Sequence, residues 1–108
     1  MRIHRKRWAL SQRELAHLLG GLSATSVGRI ELGRRVPSLP VALGYQVIFG
    51  KPPSELVPGL YAEVEDDVMR RAASLSLRLE RRQDATAILK RRLLSEMVTR
   101  AGARRLRP

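Results

Sequence analysis

One short segment concentrates side chains suited to hydrogen bonding with an anionic partner. It reads SATSVGRIELGRR and carries three hydroxyls and three guanidinium groups: Ser23, Thr25, Ser26, Arg29, Arg34 and Arg35. Hydroxyl and guanidinium groups donate to phosphate oxygens and to the acceptor atoms on base edges. The segment therefore predicts a surface that contacts an acidic partner.

Helical spacing determines which of these side chains face outward. Val27 and Ile30 are three residues apart, the spacing of a buried helical stripe. If both face the interior, the outward residues are Ser23, Ala24, Thr25, Ser26 and Arg29. The small residues at the amino end let the helix backbone approach base edges, while the Thr25 methyl can contact a thymine methyl and Arg29 can reach a guanine or a phosphate.

The predicted helix has a defined start and end. Ser23 is its expected N-cap, and Gly33 is expected to end it. Gly28 costs the helix up to about 1 kcal/mol relative to alanine, which indicates close packing against the preceding helix. Arg34 and Arg35 follow in a turn, where they are expected to hold phosphates.

Another helix precedes this one. Ser11 and Glu14 form a predicted capping box, because each side chain can satisfy a free backbone N–H of the other residue. The helix should run to about Leu19 and stop at Gly20-Gly21. Helix, glycine turn, helix is the layout of a helix-turn-helix reader, whose second helix lies in the major groove.

The rest of the chain is also predicted to be helical, so the expected fold is all-α. A short helix is expected in RIHRKRW, a longer one from Pro40 to Phe49 after Ser38, and a single turn in KPPSEL. We expect a compact five-helix domain over residues 1–60 and a helical extension over residues 61–108. We assign Phe49 to the core rather than to base stacking.

The stretches LSQRELAHLLGG and SVGRIELGRRVPSLPVAL carry ten residues of a known pattern, in order: Leu10, Ser11, Gln12, Leu15, Ala16, Ile30, Glu31, Gly33, Pro37 and Ser38. With these residues the chain resembles the Xre/Cro-type helix-turn-helix family of phage repressors and bacterial regulators, over about residues 1–60. The resemblance implies a bundle of about five helices that binds operator DNA, usually as a dimer on a near-palindromic site.

The same resemblance implies roles for residues outside the opening segment. Gln12 would hydrogen-bond the DNA backbone or a neighbouring side chain. Ala16 would let the two helices cross closely. Arg5 and Glu31 would form a structural ion pair that ties the first helix to the recognition helix.

Composition excludes several other classes of protein. Twenty-one Lys and Arg against ten Asp and Glu give a net charge of +11, which favours an acidic partner, either a polyanion or a membrane surface. There is no cysteine, and His4 and His17 have no metal-ligating partner at a useful spacing, so neither a metal nor a cofactor is expected. The apolar stretch PVALGYQVIFG is shorter than the roughly 20 residues of a membrane span, so we expect a soluble, cytoplasmic, nucleoid-associated protein.

The acidic run EVEDD, from Glu63 to Asp67, is the one candidate for acid–base catalysis. Acidic residues in the first turns of a helix are explained more simply by the helix dipole. We therefore expect no enzyme activity.

Residues 61–108 lie outside the resemblance. Two apolar stripes are predicted there, the second on a helix capped by Asp84 and running to about Thr99: Val64, Val68, Leu75 and Leu79, then Ile88, Leu89, Leu93 and Met97. The stripes can fold back over the domain or pair with a second chain, and we favour a homodimer. The last eight residues are expected to be frayed and solvated.

These features predict a sequence-specific DNA-binding transcriptional regulator, a repressor that reads the major groove with residues 23–31. One alternative is an antitoxin or mobile-element accessory protein that has the same reader and binds a protein partner through residues 61–108. Another is a sequence-blind basic adaptor that binds nucleic acid through its charge alone.

Overall fold

The computed structural model describes residues 2–106, all of whose regular structure is helical. Along the chain the helices are α1 (Arg2–Arg7), α2 (Gln12–Leu19), α3 (Ala24–Glu31), α4 (Leu39–Phe49), α5 (Pro53–Leu56), α6 (Pro58–Leu79) and α7 (Ala85–Arg105). The predicted all-α class is confirmed. The chain divides into two compact units, residues 1–61 and 62–108.

Serine caps start three helices of the first unit. Ser11 Oγ accepts a 3.0 Å bond from the Glu14 N–H, and Glu14 Oε1 accepts a 2.9 Å bond from the Ser11 N–H, so the predicted capping box is present. Ser23 caps α3 through a 3.1 Å bond from the Ser26 N–H, and Ser38 caps α4. Each cap satisfies a backbone donor that has no partner within its helix.

The core of the first unit lies between α2, α3, α4 and α5. Its buried residues are Leu15, Ala16, Val27, Ile30, Tyr45 and Leu56. Phe49 is half-buried and packs against this core, as predicted. Gly44 lets α4 approach α2, because a Cβ at this position would lie 2.9 Å from Leu19 Cδ2.

The second unit contains an α-helical hairpin with a small core. The buried residues of this core are Ala72, Leu79, Ala87 and Leu94, with Met97 packed against them. Of the eight residues in the two predicted apolar stripes, only Leu79 and Met97 lie in this core between the two helices. Alanines occupy this core instead, and most of the larger stripe residues are exposed.

The two ends of this hairpin are joined by ion pairs that the sequence did not reveal. Arg104 Nε donates a 2.8 Å bond to Glu65 Oε2, and Arg105 Nη2 donates a 2.8 Å bond to Asp66 Oδ1. The hydrogen bond from Arg104, which outweighs the opposing effect of burial, lowers the pKa of Glu65.

The bounds of α6 and α7 correct two predictions. The acidic run does not lie at the start of a helix, because α6 already begins at Pro58 and its first turn carries no acidic residue. The chain is not frayed from Ala101 onwards, because α7 continues to Arg105 rather than ending near Thr99. The remainder of the predicted frayed segment, residues 107–108, lies outside the described residues.

The turn between α6 and α7 is held by one arginine. Arg91 Nη1 donates 2.6 Å bonds to the carbonyl oxygens of Leu79 and Arg82, at the end of α6 and in the turn. Arg82 also forms a two-pronged ion pair with Asp84, which is the N-cap of α7 as predicted. Within residues 2–106, no helix combines the length and apolarity needed to cross a membrane.

Candidate nucleic-acid interface

Helix α3 presents a polar surface on the side opposite its buried residues. Val27 is 0% exposed and Ile30 is 6% exposed, so the helix is oriented as the spacing predicted. On the outer side Ser23, Thr25 and Arg29 are exposed, while Ala24 and Ser26 are half-buried. The outward surface therefore begins with small and hydroxyl-bearing residues and ends with a guanidinium group.

Two serines and an arginine are linked across the start of α3. Ser23 Oγ donates a 3.1 Å hydrogen bond to Ser26 Oγ. Arg35 Nη1 donates a 2.7 Å bond to the same Ser26 oxygen. The structure thus brings together three of the predicted DNA-contacting residues and orients Arg35 along the amino end of the helix.

The end of α3 is a Schellman turn that positions Arg34. The Arg34 N–H bonds to the Arg29 carbonyl at 2.8 Å, and the Gly33 N–H bonds to the Ile30 carbonyl at 3.0 Å. Gly33 has a φ of +74°, which glycine adopts without the steric cost that a Cβ would add. The Schellman turn therefore fixes the backbone from which the exposed side chains of Arg34 and Arg35 extend.

Gln12 crosses from α2 to α3 over a glycine. A Cβ at position 28 would lie 3.3 Å from Gln12 Nε2. The lack of a side chain at Gly28 therefore lets Gln12 pack closely against α3, as the glycine within this helix predicted. Gln12 Nε2 donates a 2.9 Å bond to Glu31 Oε1. The resemblance implied that Gln12 bonds either the DNA backbone or a neighbouring side chain. In the structure Gln12 bonds a neighbouring side chain, Glu31.

The Glu31 carboxylate also accepts two hydrogen bonds from the Arg5 guanidinium. Arg5 Nε lies 2.8 Å from Glu31 Oε2, and Arg5 Nη2 lies 3.2 Å from Oε1. The third Arg5 bond, from Nη1 to the Leu10 carbonyl at 2.8 Å, was not indicated by any sequence signal, because a backbone acceptor carries no residue type. Together these bonds attach α1 to α3 and to the segment before α2.

Two opposing effects act on the Glu31 carboxyl. Burial raises its pKa, since the side chain is only 2% exposed, but hydrogen bonds from Arg5 and Gln12 and the charge of Arg5 outweigh burial. The pKa of Glu31 therefore lies below its ordinary value, and the carboxylate is ionised and neutralised by Arg5 at neutral pH.

The two histidines, the candidates for metal binding, lie on different helices. His17 is exposed, and His4 is half-buried with its ring 6.0 Å from that of Phe49. Among residues 2–106, no group of three or more histidine, aspartate or glutamate side chains is arranged to hold a metal ion.

The model of a protein family, the helix-turn-helix family, matches residues 2–56, just over half of the chain. The chain belongs to the helix-turn-helix family typical of Xre/Cro/cI-type regulators. This confirms the resemblance recognised in the sequence. The family is one of DNA-binding regulators and is not typically enzymatic. No curated protein and no solved structure shows significant similarity to the chain.

Membership in the helix-turn-helix family identifies DNA as the partner that the chain binds. Regulators of this family bind DNA, and the arginines at positions 29, 34 and 35 are exposed on and directly after α3. The one acidic residue of α3, Glu31, is turned inward and paired. No carboxylate of α3 itself therefore opposes the approach of a phosphate backbone.

Proposed function

We propose that this helix-turn-helix regulator is a sequence-specific transcriptional repressor that occupies an operator as a homodimer. The observation that carries the proposal is the chemical division of α3: small and hydroxyl side chains at its amino end, and arginines at and beyond its carboxyl end. Base edges are read by close hydrogen bonds and methyl contacts, while phosphates are held by cations. Helix α3 offers small and hydroxyl side chains for the base edges, and arginines at and beyond its end offer cations for the phosphates.

Individual roles follow from which side chains are already engaged. Thr25 and Arg29 are exposed and are assigned to base edges, with Ala24 allowing close approach. Arg34 and Arg35 are assigned to phosphates of the DNA backbone. Ser26 is assigned mainly to holding Arg35, because its hydroxyl oxygen already accepts the Arg35 bond.

The hairpin of the second unit supports the homodimer. Its core contains only two large aliphatic side chains, Leu79 and Leu94, beside Ala72, Ala87 and Met97. Six larger stripe residues are between 40% and 66% exposed: Val64, Val68, Leu75, Ile88, Leu89 and Leu93. Two antiparallel helices are half of a four-helix bundle, and pairing two copies would bury these side chains.

The first experiment is selection of bound duplexes from a random DNA pool at about 150 mM salt, near physiological ionic strength. A sequence-specific homodimer recovers a near-palindromic motif whose half-sites lie about one helical turn apart. Recovery of no motif, with binding to every duplex lost alike as salt rises, identifies the sequence-blind adaptor and overturns the proposal.

Substitution of α3 tests the assignment of the reader. The triple variant Thr25→Ala, Ser26→Ala, Arg29→Ala is expected to bind with little sequence preference. Arg92→Ala removes the same single charge from an exposed position on α7 and serves as the control, expected to keep the full preference. An unchanged preference in the triple variant overturns the assignment of α3 as the reader.

Sedimentation of the full chain tests the homodimer. Val68→Gln with Leu93→Gln is expected to weaken self-association, whereas Leu77→Gln, at a side chain 72% exposed on α6, is expected to leave it unchanged. A wild-type chain that stays monomeric contradicts the homodimer and favours an antitoxin or accessory protein whose second unit binds another protein.

A further inference from the structure

The turn of the second unit's hairpin carries a concentration of positive charge. Residues 78–92, which include the end of α6, the turn and the start of α7, contain six Lys or Arg and two Asp or Glu. Three of these cations are exposed and form no hydrogen bond or ion pair with any described residue: Arg78, Arg81 and Lys90. We refer to these three residues as the turn patch.

Most other charged side chains of this segment are already paired. Arg82 forms its two-pronged ion pair with Asp84, and Arg92 lies 3.5 Å from Glu96. Within residues 2–106, Glu80 forms no ion pair, so one unpaired carboxylate stands against three unpaired cations. The turn patch therefore keeps a net positive charge for a partner outside the chain.

The acidic run of the second unit lies at the opposite end of the hairpin. Glu65 and Asp66 accept bonds from Arg104 and Arg105 there. Along α6, at 1.5 Å per residue, Glu65 lies about 20 Å from Arg78. The Debye length at physiological salt is about 8 Å, so the carboxylates at the open end do not neutralise the turn patch.

Arg91 removes another source of negative potential from the turn. The last carbonyl oxygens of a helix have no partner within the helix and carry partial negative charge. The Arg91 guanidinium donates to the carbonyls of Leu79 and Arg82 at 2.6 Å and to that of Glu80 at 3.4 Å. An approaching anion therefore meets side-chain cations at the turn rather than unpaired carbonyl dipoles.

We propose that the turn patch binds the phosphate backbone of DNA and gives the chain a second, sequence-independent contact outside the helix-turn-helix match at residues 2–56. The inference rests on DNA binding by the first unit, but on neither repression nor dimerisation. A duplex held by the first unit presents phosphates to the rest of the same chain at high effective concentration. Three cations are therefore enough for a contact that would be weak in isolation.

The freedom of these side chains favours DNA over an acidic protein as the partner. No bond holds the turn patch in one arrangement, so its cations can follow phosphates in any register along a duplex. Phosphates carry no sequence information, and a contact with them raises affinity for every duplex alike. Binding to an acidic protein would leave the affinity for DNA unchanged when the turn patch is altered.

Salt dependence tests the contact in the full chain. Arg78→Gln with Arg81→Gln is expected to reduce the slope of log K for DNA against log salt by about 2, and adding Lys90→Gln by about 1 more. Fluorescence anisotropy measures this on the selected duplex and on an unrelated one. At about 150 mM salt the double variant should bind both duplexes about tenfold more weakly, with an unchanged ratio between them. An unchanged slope on both duplexes overturns the inference.

The matched control is Arg71→Gln with Arg100→Gln. These arginines lie on α6 and α7 outside residues 78–92, are exposed, and form no bond or ion pair with a described residue. The control removes the same charge, so an equal loss of slope in the two double variants assigns the effect to net charge and overturns the inference. If no duplex is selected at all, the proposed repressor function fails, while the unrelated duplex still decides whether the turn patch binds DNA.

Cross-linking gives a readout of position. The chain contains no cysteine, so Gln83→Cys introduces a single thiol in the turn without altering its charge. Labelled with a maleimide-linked benzophenone and irradiated with the unrelated duplex, this variant is expected to form several-fold more covalent DNA adduct than Ser74→Cys, an exposed position on α6. Equal yields from the two positions overturn the inference.

Discussion

Arg35 Nη1 lies 2.7 Å from Ser26 Oγ, so the loop that follows α3 is fastened to the first turn of the same helix. The bond orients an exposed guanidinium before any DNA is present. Less side-chain freedom is then lost when a phosphate binds, which is the usual benefit of preorganisation.

Salt dependence separates the charge of Arg35 from its orientation. With Arg35 assigned to a phosphate as proposed, Arg35→Ala should reduce the slope of log K for DNA against log salt by about 1. Ser26→Ala keeps the charge and should lower affinity with little change in slope. Fluorescence anisotropy over a salt series measures both quantities. Ser26 has no positioning role if its variant binds as tightly as the wild type at every salt concentration.

The sequence predicted the elements of the first unit because their signals are local. Ser11 with Glu14, Ser23 and Gly33 act within one turn of the residues they cap, so their effect can be worked out from neighbouring positions. The bond from Arg35 to Ser26 spans nine residues across a turn and has no periodic signature.

The second unit was predicted less well for a physical reason. Large apolar side chains at helical spacing predict which side of a helix is buried. In the hairpin, however, alanines such as Ala72 and Ala87 lie between the two helices, and their small size allows the helices to approach each other closely. The ion pairs of Arg104 and Arg105 join residues 39 positions or more apart. Only the fold brings such residues together.

Removal of Arg5 should destabilise the first unit. Arg5→Met leaves the Glu31 carboxylate, 2% exposed, without its cation, and breaking a buried pair in this way costs about 3 kcal/mol of unfolding free energy. Urea denaturation at pH 7 measures the loss. Lys6→Met, at the exposed neighbouring position of α1, should cost less than about 0.5 kcal/mol. Similar losses for the two variants would show that the pair with Glu31 does not stabilise the fold.

The stability contributed by Glu31 should depend on pH in one direction. Its pKa in the folded chain is lowered from the ordinary 4.5, so the ionised form is favoured by folding. The contribution of ionised Glu31 to the free energy of unfolding is complete above about pH 4.5. It is lost as the pH falls through the lower pKa that Glu31 has in the folded chain.

The measurement is the difference in unfolding free energy between wild type and Glu31→Gln, followed from pH 7 to pH 3. The difference should narrow below about pH 4.5. Glu96→Gln, which alters an exposed pair with Arg92, should differ little from wild type throughout. A Glu31→Gln difference that stays constant over the whole range is evidence against the predicted linkage.

A side chain at position 33 should destabilise the end of α3. A Cβ there would meet no atom within 4 Å, so the cost arises only from the φ of +74° and should be about 1 kcal/mol for Gly33→Ala. Gly33→Asn should cost less, because asparagine tolerates this conformation. Gly59→Ala, in α6 with equal space and no positive φ, is the control and should not destabilise. Thermal unfolding of the three variants compares these costs.

The turn of the second unit should depend on the guanidinium of Arg91. Arg91→Met removes the donor that bonds the carbonyls of Leu79 and Arg82, and hydrogen bonds to a charged group contribute about 1.5–3 kcal/mol. Amide hydrogen exchange at the end of α6 should therefore accelerate. Arg91→Lys should not restore protection fully, because an ammonium group lacks the planar fork of donors that reaches several acceptors.

The adjacent Arg92→Met provides the control for this turn. It removes the same charge from α7 but breaks only an exposed pair with Glu96 at 3.5 Å, so exchange at the end of α6 should stay at the wild-type rate. If both variants accelerate exchange equally, the effect comes from the loss of positive charge rather than from the bonds of Arg91. Acceleration in Arg91→Met alone assigns the stability of the turn to one side chain.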